Sequence, residues 1–359
     1  MHRAAGTGNS CFAEHGGRSP DLIISLDFKR ADSMRNLTVN RRQVLLAATL
    51  ASVAAAQPAR LWAAAPKAGQ QALAYYVTPV GDYQVTALLD RTMAMPSDQL
   101  LAGASPEQIR AWLAARARSV PTPTSLNSFL INTGSELLLV DSGGGELMGA
   151  GGASLQPTLQ RAGYQNAQID KVLLTHLHVD HIGGISQDGK ARFENAELWV
   201  PQVELDYWLS DAERDKVPEA QRDAFERART AIAPYQEAKR LRAFQWGDEV
   251  APGVRAVDLS GHTPGHTGFD VQRNGERLLI WGDVVHVQDV QFDHPDITIA
   301  FDIDQAAAKS RRLATFKDAA SGGYRVAGMH MAFPGIGHVR AKGQDAYEWL
   351  PESFSAQIN

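Results

Sequence analysis

Apolar residues recur along this chain with two periods. Between residues 73 and 89 they alternate with polar and β-branched positions, the period-2 pattern of strands. Ser105 as N-cap, Pro106 in the first turn and Ile109, Trp112 and Leu113 on one face predict a helix. Apolar runs at 129–132 and 137–140 flank Thr133-Gly134 and predict a hairpin, whose second strand runs into Asp141-Ser142-Gly143-Gly144-Gly145. Short runs at 172–174 and 196–200 read as buried strands, and 201–209 and 223–238 as helices. In the second half, 254–259 and 277–281 read as strands. Residues 304–320 read as a long amphipathic helix ended by Ser321-Gly322-Gly323, and 324–328 as a strand reaching Met329-His330. Mixed strands and helices make this an α/β chain. Each His or Asp cluster follows a buried strand, and strand ends on one sheet edge can gather residues distant in sequence.

The beginning of the chain reads differently. Arg41-Arg42 directly precede an apolar, Ala-rich run over 44–56, too short to span a bilayer as a helix but suited to the core of a cleaved export signal. Paired arginines before a weakly hydrophobic core resemble a twin-arginine signal, which implies a periplasmic or secreted protein with no membrane anchoring after cleavage. Ala54-Ala55-Ala56 offers a cleavage site before Gln57, and Met34 offers an alternative start. Residues 1–65 are therefore expected to be leader, and 66–359 a single folded domain.

Composition narrows the chemistry. Of 359 residues, 44% are hydrophobic and 21% charged, and the formal net charge is -5, which argues against a nucleic-acid partner. One cysteine, Cys11, lies in the leader, so neither a disulfide framework nor thiolate metal ligands are available to the mature chain. Nine of the 11 histidines fall between His176 and His338.

The strongest motif is Thr175-His176-Leu177-His178-Val179-Asp180-His181. On an extended segment His176 and His178 point to the same side and can share one metal ion. A helical turn after His178 would swing Asp180 and His181 back to hold a second, and Gly183-Gly184 would allow close backbone approach there. Imidazole and carboxylate suit Zn²⁺, Mn²⁺, Fe or Co²⁺.

This motif resembles the signature of the metallo-β-lactamase superfamily, and the likeness continues along the chain. Leu259-Ser260-Gly261-His262-Thr263-Pro264-Gly265-His266 is similar to that family's third metal motif, and Ile280-Trp281-Gly282-Asp283 to its fourth. The resemblance implies an αββα sandwich in a single domain and two divalent cations, zinc first, with Co²⁺, Mn²⁺ or a mixed Fe/Zn pair as alternatives. It assigns one ion to His176, His178 and His262 and the other to Asp180, His181 and His330, with Asp283 between them and Asp141 orienting a ligand from behind. Over roughly 75–355 the chain resembles the methyl parathion hydrolase branch, through Val290-Gln291-Phe292-Asp293, Phe333-Pro334-Gly335-Ile336-Gly337-His338 and the aromatic pair Trp208 and Phe225.

A binuclear core of this kind activates water for attack on a carbonyl carbon or a phosphorus without a protein nucleophile, and no Gly-x-Ser-x-Gly motif is present. Asp283 is expected to bridge the metals and to accept a proton. The same core serves lactones, aryl esters, phosphotriesters, β-lactams and thioesters of the glyoxalase II type, so it does not choose among them. Many acyl-homoserine lactonases of the family carry Tyr three residues after the bridging aspartate, where this chain has His286. A pocket walled by Trp208, Phe225 and Phe301, with Met148 and Ile299 beside them, would suit a flat aryl lactone, and His286 could protonate the departing oxygen. Aryl-lactone or ester hydrolysis is thus expected first, acyl-homoserine lactones being included, and organophosphate triester hydrolysis second. The expected partner is a small-molecule substrate, and a homodimer is allowed. His266, His338 and His294 read as structural or loop residues.

Overall fold

The computed structural model describes residues 67, 74–149 and 155–358. The expected leader, Arg41 and Arg42 included, lies outside the described residues. Residues Gly69–Asn359 form one compact unit, which holds every element below.

Two seven-stranded sheets carry the fold. The first takes its strands in chain order: β1 Tyr75–Val80, β2 Tyr83–Met95, β3 Thr122–Asn132, β4 Leu137–Val140, β5 Lys171–Leu173, β6 Glu197–Pro201 and β7 Leu241–Phe244. Strands β1 to β4 pair antiparallel, and β4 to β7 parallel. The second sheet is again in chain order: β8 Glu249–Ala251, β9 Val254–Asp258, β10 Thr267–Arg273, β11 Glu276–Ile280, β12 Arg325–Ala327, β13 Ile336–Ala341 and β14 Tyr347–Pro351. Only β11 and β12 are parallel in it.

Alternation along the strands explains the layering. In β3, Phe129 and Ile131 enter a core shared with Phe269, Val271, Leu278 and Ile280 of the other sheet, whereas Leu130 faces the opposite way. Leu130 and its neighbours Leu139, Val172 and Leu198 are covered by the helices Leu155–Arg161 (α1), Gln202–Trp208 (α2) and Glu219–Glu237 (α3). On the outside of the second sheet, Leu279 and Val326 pack under Phe316 and Ala319 of α4, Gln305–Gly322. The result is the αββα sandwich. Asp304 caps α4 by accepting from the Ala307 amide, and Gly323 ends it in the left-handed region at φ 63°. Among the described residues no helix is long and apolar enough to cross a membrane.

Candidate metal centre

Strands β4, β5, β9, β11 and β12 each run out into a loop carrying His or Asp. After β5 the chain stays extended as far as His178 (φ -69°, ψ 152°), then makes a single helical turn, Val179–Ile182. That conformation places His176 and His178 in one cluster with His262, and Asp180 and His181 in another with Asp283 and His330; within each, the donor atoms lie within 4.8 Å of one another. Gly184 is required at the turn, because a Cβ there would stand 2.0 Å from the Ser142 carbonyl oxygen. Gly282 (φ 58°) is required equally, since its Cβ would fall 2.3 Å from His266 Nε2.

Outer contacts fix which nitrogen of each imidazole faces inward. His181 Nδ1 lies 2.7 Å from Asp141 Oδ2, and Asp141 also accepts from the Thr175 amide and hydroxyl, both at 2.8 Å. Nδ1 of His262 pairs with Asp302 Oδ1 at 2.8 Å, that of His176 with Thr175 Oγ1 at 3.0 Å, and that of His330 with the Ser125 carbonyl at 3.3 Å. His178 is reversed, with Nδ1 turned inward to within 3.0 Å of His262 Nε2. Asp283 Oδ2 is the hub: Nε2 of His330, His181, His286, His262 and His176 lie 3.0, 3.2, 3.2, 3.4 and 3.8 Å from it. His266 holds the aspartate from behind, pairing through Nδ1 with the Leu259 carbonyl and accepting from the Asp283 amide at Nε2.

These donors suit cations. His176 Nε2, His181 Nε2 and Asp283 Oδ1 are buried and make no hydrogen bond. Orphaned buried donors and acceptors are costly unless something else engages them. In the protein alone the imidazoles are pulled apart electrostatically. Burial and the neighbouring histidines hold His176 and His178 well below the ordinary value. Burial acts the same way on His262 and His330, but carboxylates outweigh it: Asp283 and Asp302 raise His262 to about 9, and Asp283 and Asp180 raise His330 to about 10. Although burial opposes it, the histidines around Asp283 keep that carboxyl well below its usual range.

Beside this cluster is a cavity of about 220 Å³, lined by Thr124, Ser125, Arg118, His286, Gln288 and His330 among others. None of the five pocket residues expected from the sequence belongs to that lining. Trp208 is close, its ring edge-on to His178 at 5.6 Å, but its Nε1 is tied to Glu204. Phe225, on α3, packs behind Trp208 with the rings tilted at 50°, and Ile299 (0% exposed) packs with Met95, Leu101 and Val287. Phe301, on the other hand, is 46% exposed. Met148 lies against Gly144, where an added Cβ would meet its sulfur at 2.4 Å. Of these positions, Trp208 adjoins the cluster, Phe225 and Ile299 are buried in side-chain packing, and Phe301 is exposed. His294 stacks on Trp112 at 3.7 Å, and His338 is exposed on β13 opposite Arg325.

Sequence reading passed over Asp302 and Glu204. Asp302 lies two residues before the α4 cap and shows no spacing to His262 in the sequence. Glu204 sits on a helix where a carboxylate is ordinarily solvated, and only its i,i+4 relation to Trp208 hints at a bond.

Sheet order, strand-end loops and a buried His/Asp cluster with two sets of donors define a metallohydrolase-type protein. Residues 121–330 match the family model described as the metallo-beta-lactamase superfamily, and the chain belongs to that superfamily. A solved structure titled hydrolase AbOPH in the beta lactamase superfamily is 38% identical, with a TM-score of 0.77, covering 80% of this chain and 100% of that one. AidC, a dizinc quorum-quenching lactonase in complex with a product, shares the fold at 24% identity and a TM-score of 0.73, over 79% of this chain and 99% of that one. Among curated proteins, an N-acyl homoserine lactonase of Bacillus sp is 28% identical over 158 residues, 43% of this chain and 54% of that protein. An atrochrysone carboxyl ACP thioesterase of Passalora fulva is 29% identical over 161 residues, 44% of this chain. The chain spans only 38% of that thioesterase's length.

Proposed function

We propose that this protein is a binuclear metal-dependent hydrolase that opens lactones. The observation that carries the reading is His286, which lines the cavity while its Nε2 stands 3.2 Å from Asp283 Oδ2. His176, His178 and His262 would hold one cation, Asp180, His181 and His330 the other, and Asp283 would touch both. Two such ions, zinc first, would supply Lewis-acid polarisation of the ester oxygen and a nucleophilic water at neutral pH. Asp141 and Asp302 keep their imidazoles oriented, so the site is assembled before substrate enters.

Burial lowers His286 to about 4 despite the pull of Asp283, so the ring is neutral at pH 7. Nδ1 is buried and without a partner while Nε2 faces Asp283, which favours the tautomer with its N–H on Nε2. His286 thus acts by hydrogen bonding to the lactone or its leaving alkoxide rather than as a full acid. Thr124, Ser125 and Arg118 add polar groups to a lining that is more apolar than polar, which suits an aryl lactone as well as the amide-bearing ring of an N-acyl homoserine lactone. Similarity to N-acyl homoserine lactonases supports the same class.

The test is a panel of dihydrocoumarin, N-hexanoyl homoserine lactone, phenyl acetate, paraoxon and nitrocefin on zinc-loaded enzyme. The reading expects the lactones to have the highest kcat/KM. Paraoxon hydrolysed fastest would favour the phosphotriesterase alternative, and nitrocefin would point to a β-lactamase.

A further inference from the structure

Glu204, on α2, is 0% exposed and has no ion pair among the described residues. Its carboxylate is satisfied by N–H donors instead. Oε2 accepts from the Leu177 amide at 3.0 Å and from the Trp208 indole at 2.8 Å, and Oε1 accepts from the Gly265 amide at 2.7 Å. Burial pushes this carboxyl up. A charged group placed so deep is costly unless its hydrogen bonds are complete, so its donors are held firmly.

The identity of those donors matters. Leu177 sits between His176 and His178, and Gly265 belongs to the loop that carries His262. That loop is pressed on the start of α2, since a Cβ on Gly265 would stand 2.6 Å from the Glu204 amide nitrogen. Apart from Glu204, these segments meet through the bond from the Thr267 amide to the Thr175 carbonyl, 2.9 Å, and through the ligands themselves, His178 Nδ1 lying 3.0 Å from His262 Nε2. The donors of the other cluster, Asp180, His181 and His330, make no hydrogen bond to Glu204 among the described residues.

We propose that Glu204 is a positioning residue for the cation held by His176, His178 and His262. One carboxylate sets the spacing between the strand end bearing two of these ligands and the loop bearing the third. The inference rests on the two-metal reading of the site.

The test uses single-ion backgrounds. His330→Ala leaves the His176, His178 and His262 group complete, and His178→Ala leaves the other group complete. Zinc affinity is read by competition with a chelating dye. Glu204→Gln fills the same space, but its amide nitrogen faces a donor. It should weaken the ion held in the His330→Ala background by about 10- to 100-fold, the usual cost of losing an outer partner. In the His178→Ala background it should change nothing. Gly265→Ala, whose added Cβ would press on the Glu204 backbone and side chain and so displace the loop, should give the same selective loss and serves if Glu204→Gln does not fold. Equal weakening in both backgrounds would overturn the proposal. So would unchanged affinity with a lower Tm of the metal-free protein, the mark of a purely structural group. If neither background protein retains a single ion before Glu204 is altered, the two-metal reading itself fails and the inference falls with it.

Discussion

His286→Leu tests the lactonase reading at the atom that carries it. The ring is 2% exposed, and its Nε2 is 3.2 Å from Asp283 Oδ2. Its backbone amide is bonded to Gln291 Oε1 at 2.8 Å, so the loop keeps its anchor whatever the side chain. Leucine has similar bulk and abolishes the unpartnered Nδ1 as well as the Nε2 donor. The stability terms therefore oppose each other, and the variant should fold. What is lost is one hydrogen bond to an oxygen that gains charge as the lactone opens, worth about 1.5–3 kcal/mol. At about 1.4 kcal/mol per decade this is roughly a tenfold to hundredfold fall in kcat/KM for dihydrocoumarin and for N-hexanoyl homoserine lactone. Methyl paraoxon, whose nitrophenolate departs without help, should be hydrolysed at an equal or higher rate. The assay is the ratio of the two kcat/KM values in wild type and variant, with metal content measured on the same samples. If both activities fall together, or the ratio stays fixed, His286 has no selective role and the preference for lactones loses its support.

Other predictions follow from the ligand sets and the leader. His178→Ala and His262→Ala should each abolish hydrolysis and reduce bound metal toward one ion per chain; two tightly bound ions in either variant would remove that residue from the ligand set. Export through a twin-arginine route remains our proposal, and replacing Arg41 and Arg42 with Lys should trap precursor in the cytoplasm of a bacterial host, whereas undiminished export would refute it.

The parts of this molecule legible in the sequence are those fixed by local geometry. His176 and His178 share a side because strand residues alternate, and Asp180 and His181 follow because a helical turn starts at the next residue. Strand β10 was not legible. Its sequence, Thr267-Gly268-Phe269-Asp270-Val271-Gln272-Arg273, puts a carboxylate in a central position, and Asp270 is tolerated there because Arg277 on the next strand bonds it at 2.8 Å. Which side of its helix Trp208 or Phe225 presents is set by the fold, where Trp208 meets His178 edge-on and Phe225 packs behind it. Asp302 and Glu204 reach the site through tertiary contacts, to His262 Nδ1 in one case and to the Leu177 and Gly265 amides in the other, that no local spacing reveals.

The central claim is that one cluster of His and Asp side chains holds two cations that share Asp283. Anomalous scattering at the zinc edge, measured on crystals of zinc-loaded protein, tests it most directly. Two peaks are expected, one among His176, His178 and His262 and one among Asp180, His181 and His330, each adjoining Asp283. A single peak, or a peak held by His262, Asp283 and His286, which also lie close enough to bind an ion, would contradict the account.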